Sequence, residues 1–210
     1  MFETETDLTL LGFSHARQPD SAFVHTWENA GLSHADAHFI RVIIGGPRDP
    51  NLGKLLGCTS INAGQQHEVI QAALHQFIGW AAGGSAPPAG TRLQLVDDSA
   101  AQASIARDAN GNARGGVRNP LVDAPTATLT GEPPPGTTSA DVAKSNGTCL
   151  LFGHTIPFTR AKLVDLYGTA DNYVAAFRKA ADKAVAAGFL LRPDADALIA
   201  EAEANRALFS

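Results

Sequence analysis

The chain has 210 residues, a formal net charge of −5, 44% hydrophobic residues and 18% charged residues. That length buries a sizeable core in one ordinary domain or slightly more, and that balance excludes global disorder. With no Lys/Arg run and no apolar stretch near the roughly 20 residues of a membrane helix, the sequence argues against nucleic-acid and membrane partners.

Met1 to Asp7 is acidic and lacks the basic-then-apolar order of a secretory leader, so the cytoplasm is the default expectation. Asp7 to Phe13 reads as a short apolar segment leaving a turn, with no strand before it. A domain opening at a charged turn suggests that Met1 is an internal methionine of a longer protein. Ser14 to Ser21 is polar, Phe23 to Glu28 has the residues of a short strand, and Asn29 to His34 is loop-like. His67 to Ala82 is the clearest helix of the first half. Val69, Ile70, Ala73, Leu74, Phe77 and Ile78 fall on one stripe, and Gly83-Gly84 and Pro87-Pro88 follow its end.

Arg92 to Val96 alternates as a strand, Ala103 to Arg107 is a weaker one, and Asn110-Gly111 between them and the next segment signals a turn. Val122 and Thr126 to Leu129 read as short extended pieces, and Glu132 to Gly136 as a loop. The last third is helical: Arg160 to Tyr167 behind a Thr159 cap, Ala170 to about Ala187 ending at Gly188, and Pro193 to about Arg206.

The chemistry-bearing residues begin with Glu5-Thr6-Asp7 and Gly31-Leu32-Ser33-His34. An acid followed 27 residues later by a histidine is the order in which an α/β-hydrolase supplies its last two triad members. The histidine takes the serine proton, and the carboxylate fixes its tautomer and stabilises the imidazolium. From spacing alone the same pair reads as a turn aspartate and a loop histidine, because short Asp…His spacings recur by chance. A rival cluster is His34, Asp36 and His38, with His15 as a further candidate. Two imidazoles one helical turn apart can bind zinc, although no glutamate follows His34 as in a zincin, and solvated or supporting roles compete with it.

The wider pattern resembles a known family. Glu5-Thr6-Asp7 is followed by Arg17-Gln18-Pro19-Asp20-Ser21 and by Trp27-Glu28-Asn29-Ala30-Gly31-Leu32-Ser33-His34-Ala35-Asp36. Ile61-Asn62-Ala63-Gly64, Gly115-Gly116-Val117-Arg118, Cys149-Leu150-Leu151-Phe152-Gly153 and Ala186-Ala187-Gly188-Phe189-Leu190-Leu191 follow. Jointly these runs resemble large bacterial proteins of the alpha/beta hydrolase domain family, over essentially the whole chain.

The resemblance implies an α/β fold: the C-terminal part of an α/β-hydrolase core over 1–82, and a family-specific extension with a β-hairpin and three helices over 83–210. It implies that His34 is the catalytic base and Asp7 the acid, with Glu5 as the alternative acid. It implies a small-molecule ester or similar acyl substrate, no cofactor and no metal. No Gly-x-Ser-x-Gly elbow is present in these residues. The isolated chain is therefore expected to be inactive or nearly so, and a non-catalytic module docking to a partner chain is the alternative. Cys58 and Cys149 fall at positions resembling the family pattern, so they either pair or remain two buried thiols.

Overall fold

Strand β1 (Phe2–Thr4) occupies the place where the sequence suggested only a charged turn. Three residues with Glu and Thr carry no apolar alternation; the strand exists because it pairs in parallel with β2 (Trp27–Asn29), Phe2 against Trp27 and Thr4 against Asn29. β2 begins later than the run Phe23 to Glu28 implied. The computed structural model describes residues 1–45, 48–97 and 103–210.

Both parallel strands end in the segments that carry the candidate residues. Helix α1 (Glu5–Thr9) follows β1 directly, so the start of the expected apolar segment is helical. Thr4 caps it, and Asp7 at the third helical position reaches back to the Thr4 backbone, a reciprocal capping box. After β2 comes the loop Ala30 to Asp36, then α2 (Ala37–Ile44), capped by the Asp36 carboxylate. A 3-10 turn spans Pro50–Leu56.

Helix α3 (Gln66–Ala81) matches its expected span within a residue. Its apolar stripe is only partly covered. Val69 and Ala72 pack against Trp27, Leu32 and Val117, whereas Leu74, Phe77 and Ile78 are more than half exposed.

Strands β3 (Leu95–Asp97) and β4 (Ser104–Ile105) pair antiparallel, and an Arg107–Ala113 bridge closes the Asn-Gly turn. Val122, expected to be extended, lies in the short helix α4 (Pro120–Asp123). Asn119 caps that helix and Pro120 occupies its first position, a signal stronger than the local β propensity. Strand β5 (Ala127–Thr130) follows; α5 (Ser139–Lys144) precedes β6 (His154–Pro157), which pairs antiparallel with β5.

Helices α6 (Arg160–Tyr167), α7 (Ala170–Ala186) and α8 (Arg192–Ala204) fall within about two residues of the expected spans. Tyr173, Phe177, Ala181, Leu198 and Ile199 form their own apolar core. A separate cluster joins Leu8, Ala30, Leu93, Ile105 and Val122, so the first strands and the middle of the chain share one interior. Cys58 and Cys149 are disulfide-bonded, with 5.5 Å between their Cα atoms, which removes the free-thiol alternative. Among the described residues no helix is long and apolar enough to cross a membrane.

Candidate active site

The capping box that starts α1 also aims its aspartate. Asp7 Oδ2 accepts from the Thr4 backbone N–H at 2.8 Å and from the Thr4 hydroxyl at 2.9 Å. The other oxygen, Oδ1, lies 2.8 Å from His34 Nδ1. Asp7 is nearly buried, with 11% of its side chain exposed, while the His34 side chain is 49% exposed. An ionised carboxylate can only accept, so the contact requires the imidazole proton on Nδ1. That leaves the Nε2 lone pair of the half-exposed ring as the group able to take a proton.

The histidine loop is held at several points. Gly31 has φ +73, and a Cβ there would lie 2.6 Å from Val122 Cγ2. Only glycine fits both that backbone and that contact. Asn62, fully buried, donates to the carbonyls of Gly31 and Thr130, and its own oxygen accepts from Gly64 N–H. Gln66, at the start of α3, donates to the His34 carbonyl at 3.3 Å.

Glu5 does not face the imidazole. Its Oε1 accepts from the Gly31 N–H at 2.6 Å, and its Oε2 accepts from Gly131 N–H and pairs with Arg107 at 2.6 Å. The side chain is wholly buried and its acceptor sites are taken by structure. Of the two candidate acids, Asp7 is the one brought to His34.

Glu28 of the Trp-Glu run is likewise structural. Its buried carboxylate accepts from Arg17 and from the Leu93 N–H. Arg118, beside two glycines, pairs with Asp123 instead of presenting a free guanidinium.

The rival zinc set does not assemble. His34 is engaged by Asp7, Asp36 Oδ1 accepts the Phe39 N–H as a helix cap, and His38 lies in parallel stack with His67 at 4.0 Å between centroids. Among the described residues no group of three His, Cys, Asp or Glu side chains could hold a metal ion. His38 and Asp36 leave the line of His34 because α2 starts between them and turns His38 toward α3.

Two apolar hollows flank this region. One, of about 240 Å³, is walled by Phe39, Val42, Ile43 and Ile70, with His38 and His67 beside Gln66. The other, of about 380 Å³, is walled by Phe23, His25, Trp27, Leu74, Phe77 and Trp80. The first depends on α2, which the expected elements do not include although the sequence carries a signal for it. Asp36 before Ala37 was the available cue, an N-cap ahead of an apolar run.

A family model described as alpha/beta hydrolase domain matches residues 1–200. No curated protein and no solved structure matches the chain.

Proposed function

The chain belongs to the alpha/beta hydrolase domain family, and from that premise we propose that Asp7 and His34 are the acid and base of a serine hydrolase acting on carboxylic esters or similar acyl compounds. The single observation that carries this reading is the 2.8 Å contact from Asp7 Oδ1 to His34 Nδ1, made by residues that follow two adjacent parallel strands. A serine Oγ attacks the acyl carbonyl carbon while His34 Nε2 takes its proton. The tetrahedral intermediate collapses, and His34 returns the proton to the departing alkoxide. Water then repeats the sequence on the acyl-enzyme, with Asp7 stabilising the imidazolium each time.

The nucleophile in this reading is a serine on a Gly-x-Ser-x-Gly elbow, which these 210 residues do not contain. The division into a hydrolase-core part over 1–82 and an extension over 83–210 belongs to the same reading. The test is the DNA upstream of the Met1 codon, read in frame together with labelling of the 210-residue chain by a fluorophosphonate. An open frame encoding the elbow after a strand pattern, and no label on the chain alone, are the expected results. A stop codon close upstream, or stoichiometric label on the chain alone, overturns the account of the nucleophile.

A second reading, a module that docks to a partner chain, is favoured by the apolar residues left uncovered on two neighbouring helices. Phe39, Val42 and Ile43 on α2 and Leu74, Phe77 and Ile78 on α3 are each more than half exposed. A monomer at micromolar concentration with one cooperative melting transition would count against it.

A further inference from the structure

Helix α1 grips His34 twice. Asp7 holds the ring through Nδ1, and the preceding residue, Thr6, holds the backbone: its hydroxyl oxygen accepts the His34 N–H at 3.1 Å. The same hydroxyl donates its own hydrogen to the Gly131 carbonyl at 2.6 Å, so its orientation is committed. Thr6 is fully buried. Successive residues of one helical turn thus meet the same histidine at its two ends.

The anchor at the other side is equally confined. Gly131 also gives its N–H to Glu5 Oε2 at 3.1 Å. A Cβ at this glycine would lie 2.5 Å from Thr6 N, 2.7 Å from Glu5 Cβ and 2.7 Å from the Leu32 carbonyl oxygen. Gly153, with φ +54, backs it: a Cβ there would be 2.9 Å from Gly131 Cα and 3.0 Å from Ser33 Cβ. The chain leaving β5 and the chain entering β6 are therefore pressed onto the acid segment and the histidine loop with no slack.

We propose that Thr6 is a positioning residue for His34, fixing the backbone of the histidine against the Gly131 anchor while Asp7 fixes the ring. The inference rests on the reading of His34 as the base. Its physical reason is tolerance. A base must sit within a few tenths of an ångström of its productive place, and a half-exposed ring held only at Nδ1 would swing about that one contact. A second fixed point on the same residue removes the swing. The β5–β6 pair, distant in sequence, thereby becomes part of what orients the histidine.

The experiment uses the 210-residue chain with nitrogen-15-labelled histidine and follows the His34 ring signals by NMR in five proteins: wild type, Thr6→Val, Thr6→Ser, Thr9→Val and Asp7→Asn. Thr9 is the structural control, since it is buried in the same helix but its hydroxyl donates only to the Glu5 carbonyl. In wild type the Nδ1–H tautomer is expected. Thr6→Val keeps the shape of the side chain and removes the acceptor, so solvent exchange of the His34 Nδ1 proton is expected to quicken about tenfold. Thr6→Ser is expected to restore the wild-type rate, and Thr9→Val to lower the melting temperature without moving the His34 signals.

Thr6→Val signals identical to wild type, alongside altered signals in Asp7→Asn, would overturn the positioning role and leave the acid–base pair standing. Unaltered signals in Asp7→Asn would overturn the pair itself. Should Thr6→Val not fold, Thr6→Cys, a weaker acceptor of nearly serine size, carries the same comparison.

Discussion

Glu5 Oε1 accepts the Gly31 N–H at 2.6 Å, so the acid two positions before Asp7 supports the histidine loop from beneath instead of facing the imidazole. Its other oxygen takes Arg107 and the Gly131 N–H. Two acids in one short helix are thereby given different work by their surroundings alone.

Replacing Asp7 with asparagine is expected to keep the fold and lose the tautomer. The amide nitrogen can donate to Nδ1, which moves the ring proton to Nε2 and leaves no lone pair for a serine. In a longer protein that carries the proposed serine, kcat on a short acyl ester should fall by about 10⁴-fold, with little change in melting temperature. An undiminished kcat would reject Asp7 as the acid.

Arg107→Met should be among the most destabilising single changes. It leaves the fully buried Glu5 carboxylate without its counter-charge, a loss of about 3 kcal/mol or more. Urea unfolding measures it. A change below about 1 kcal/mol would mean that the two backbone N–H donors satisfy Glu5 by themselves.

The Cys58–Cys149 bridge spans a sequence separation of 91. It ties the 3-10 turn at Pro50–Leu56 to the segment whose Leu151 carbonyl accepts the Ala35 N–H next to His34. By loop-closure entropy, the Cys58→Ser, Cys149→Ser double variant should lose up to about 5 kcal/mol of stability, with no further effect of reductant on it. Equal denaturant midpoints for wild type with and without reductant would contradict this.

Burial, then the stacked His67 ring and the Arg41 and Arg48 guanidinium groups, depress the His38 imidazole from 6.5 to about 4, with Glu68 opposing. As pH falls below 6.5 the unfolded chain takes up this proton and the folded chain does not until about 4. Stability from this group is therefore lost between those values and levels off below them. Wild-type melting temperature should decline across that window more steeply than that of His38→Phe. Parallel slopes would show that another group governs the acid limb.

Gly31→Ala tests the loop backbone. The left-handed conformation costs an alanine roughly 1–2 kcal/mol, and the new Cβ meets Val122 at 2.6 Å. A clear fall in melting temperature is expected, with the His34 ring signals disturbed as well. An unchanged melting temperature would show that the loop relaxes freely.

The three C-terminal helices were legible from different local signals: the Thr159 cap before Arg160, the apolar face of Val174, Phe177, Ala181 and Val185, and Pro193 in a first turn that has no side-chain cap. Helix α3 has no side-chain cap and was legible from its apolar stripe and the glycines and prolines that follow it. Strands β1 and β6 were not, since both are short and owe their conformation to a partner far along the chain. Val122 went astray where a cap outweighed a β-branched side chain. In the candidate site, His34 and an acid near position 7 could be read from order and resemblance. The resemblance put Asp7 ahead of Glu5, but the local sequence held no physical reason for the choice, since the short helix that turns i and i+2 to different sides was not legible.

What the amino-acid sequence determined by itself were the local matters: helix spans, caps, turns, and the presence of an acid and a histidine in hydrolase order. Each depends on neighbours within a few residues. The tertiary structure alone decided which carboxylate meets the imidazole, that Thr6 and Gly131 hold the histidine from behind, that His38 turns away to stack on His67, and that Cys58 bonds Cys149. Those contacts join residues far apart in the chain, and they form only when burial of the shared core brings the segments together and takes their polar groups out of water.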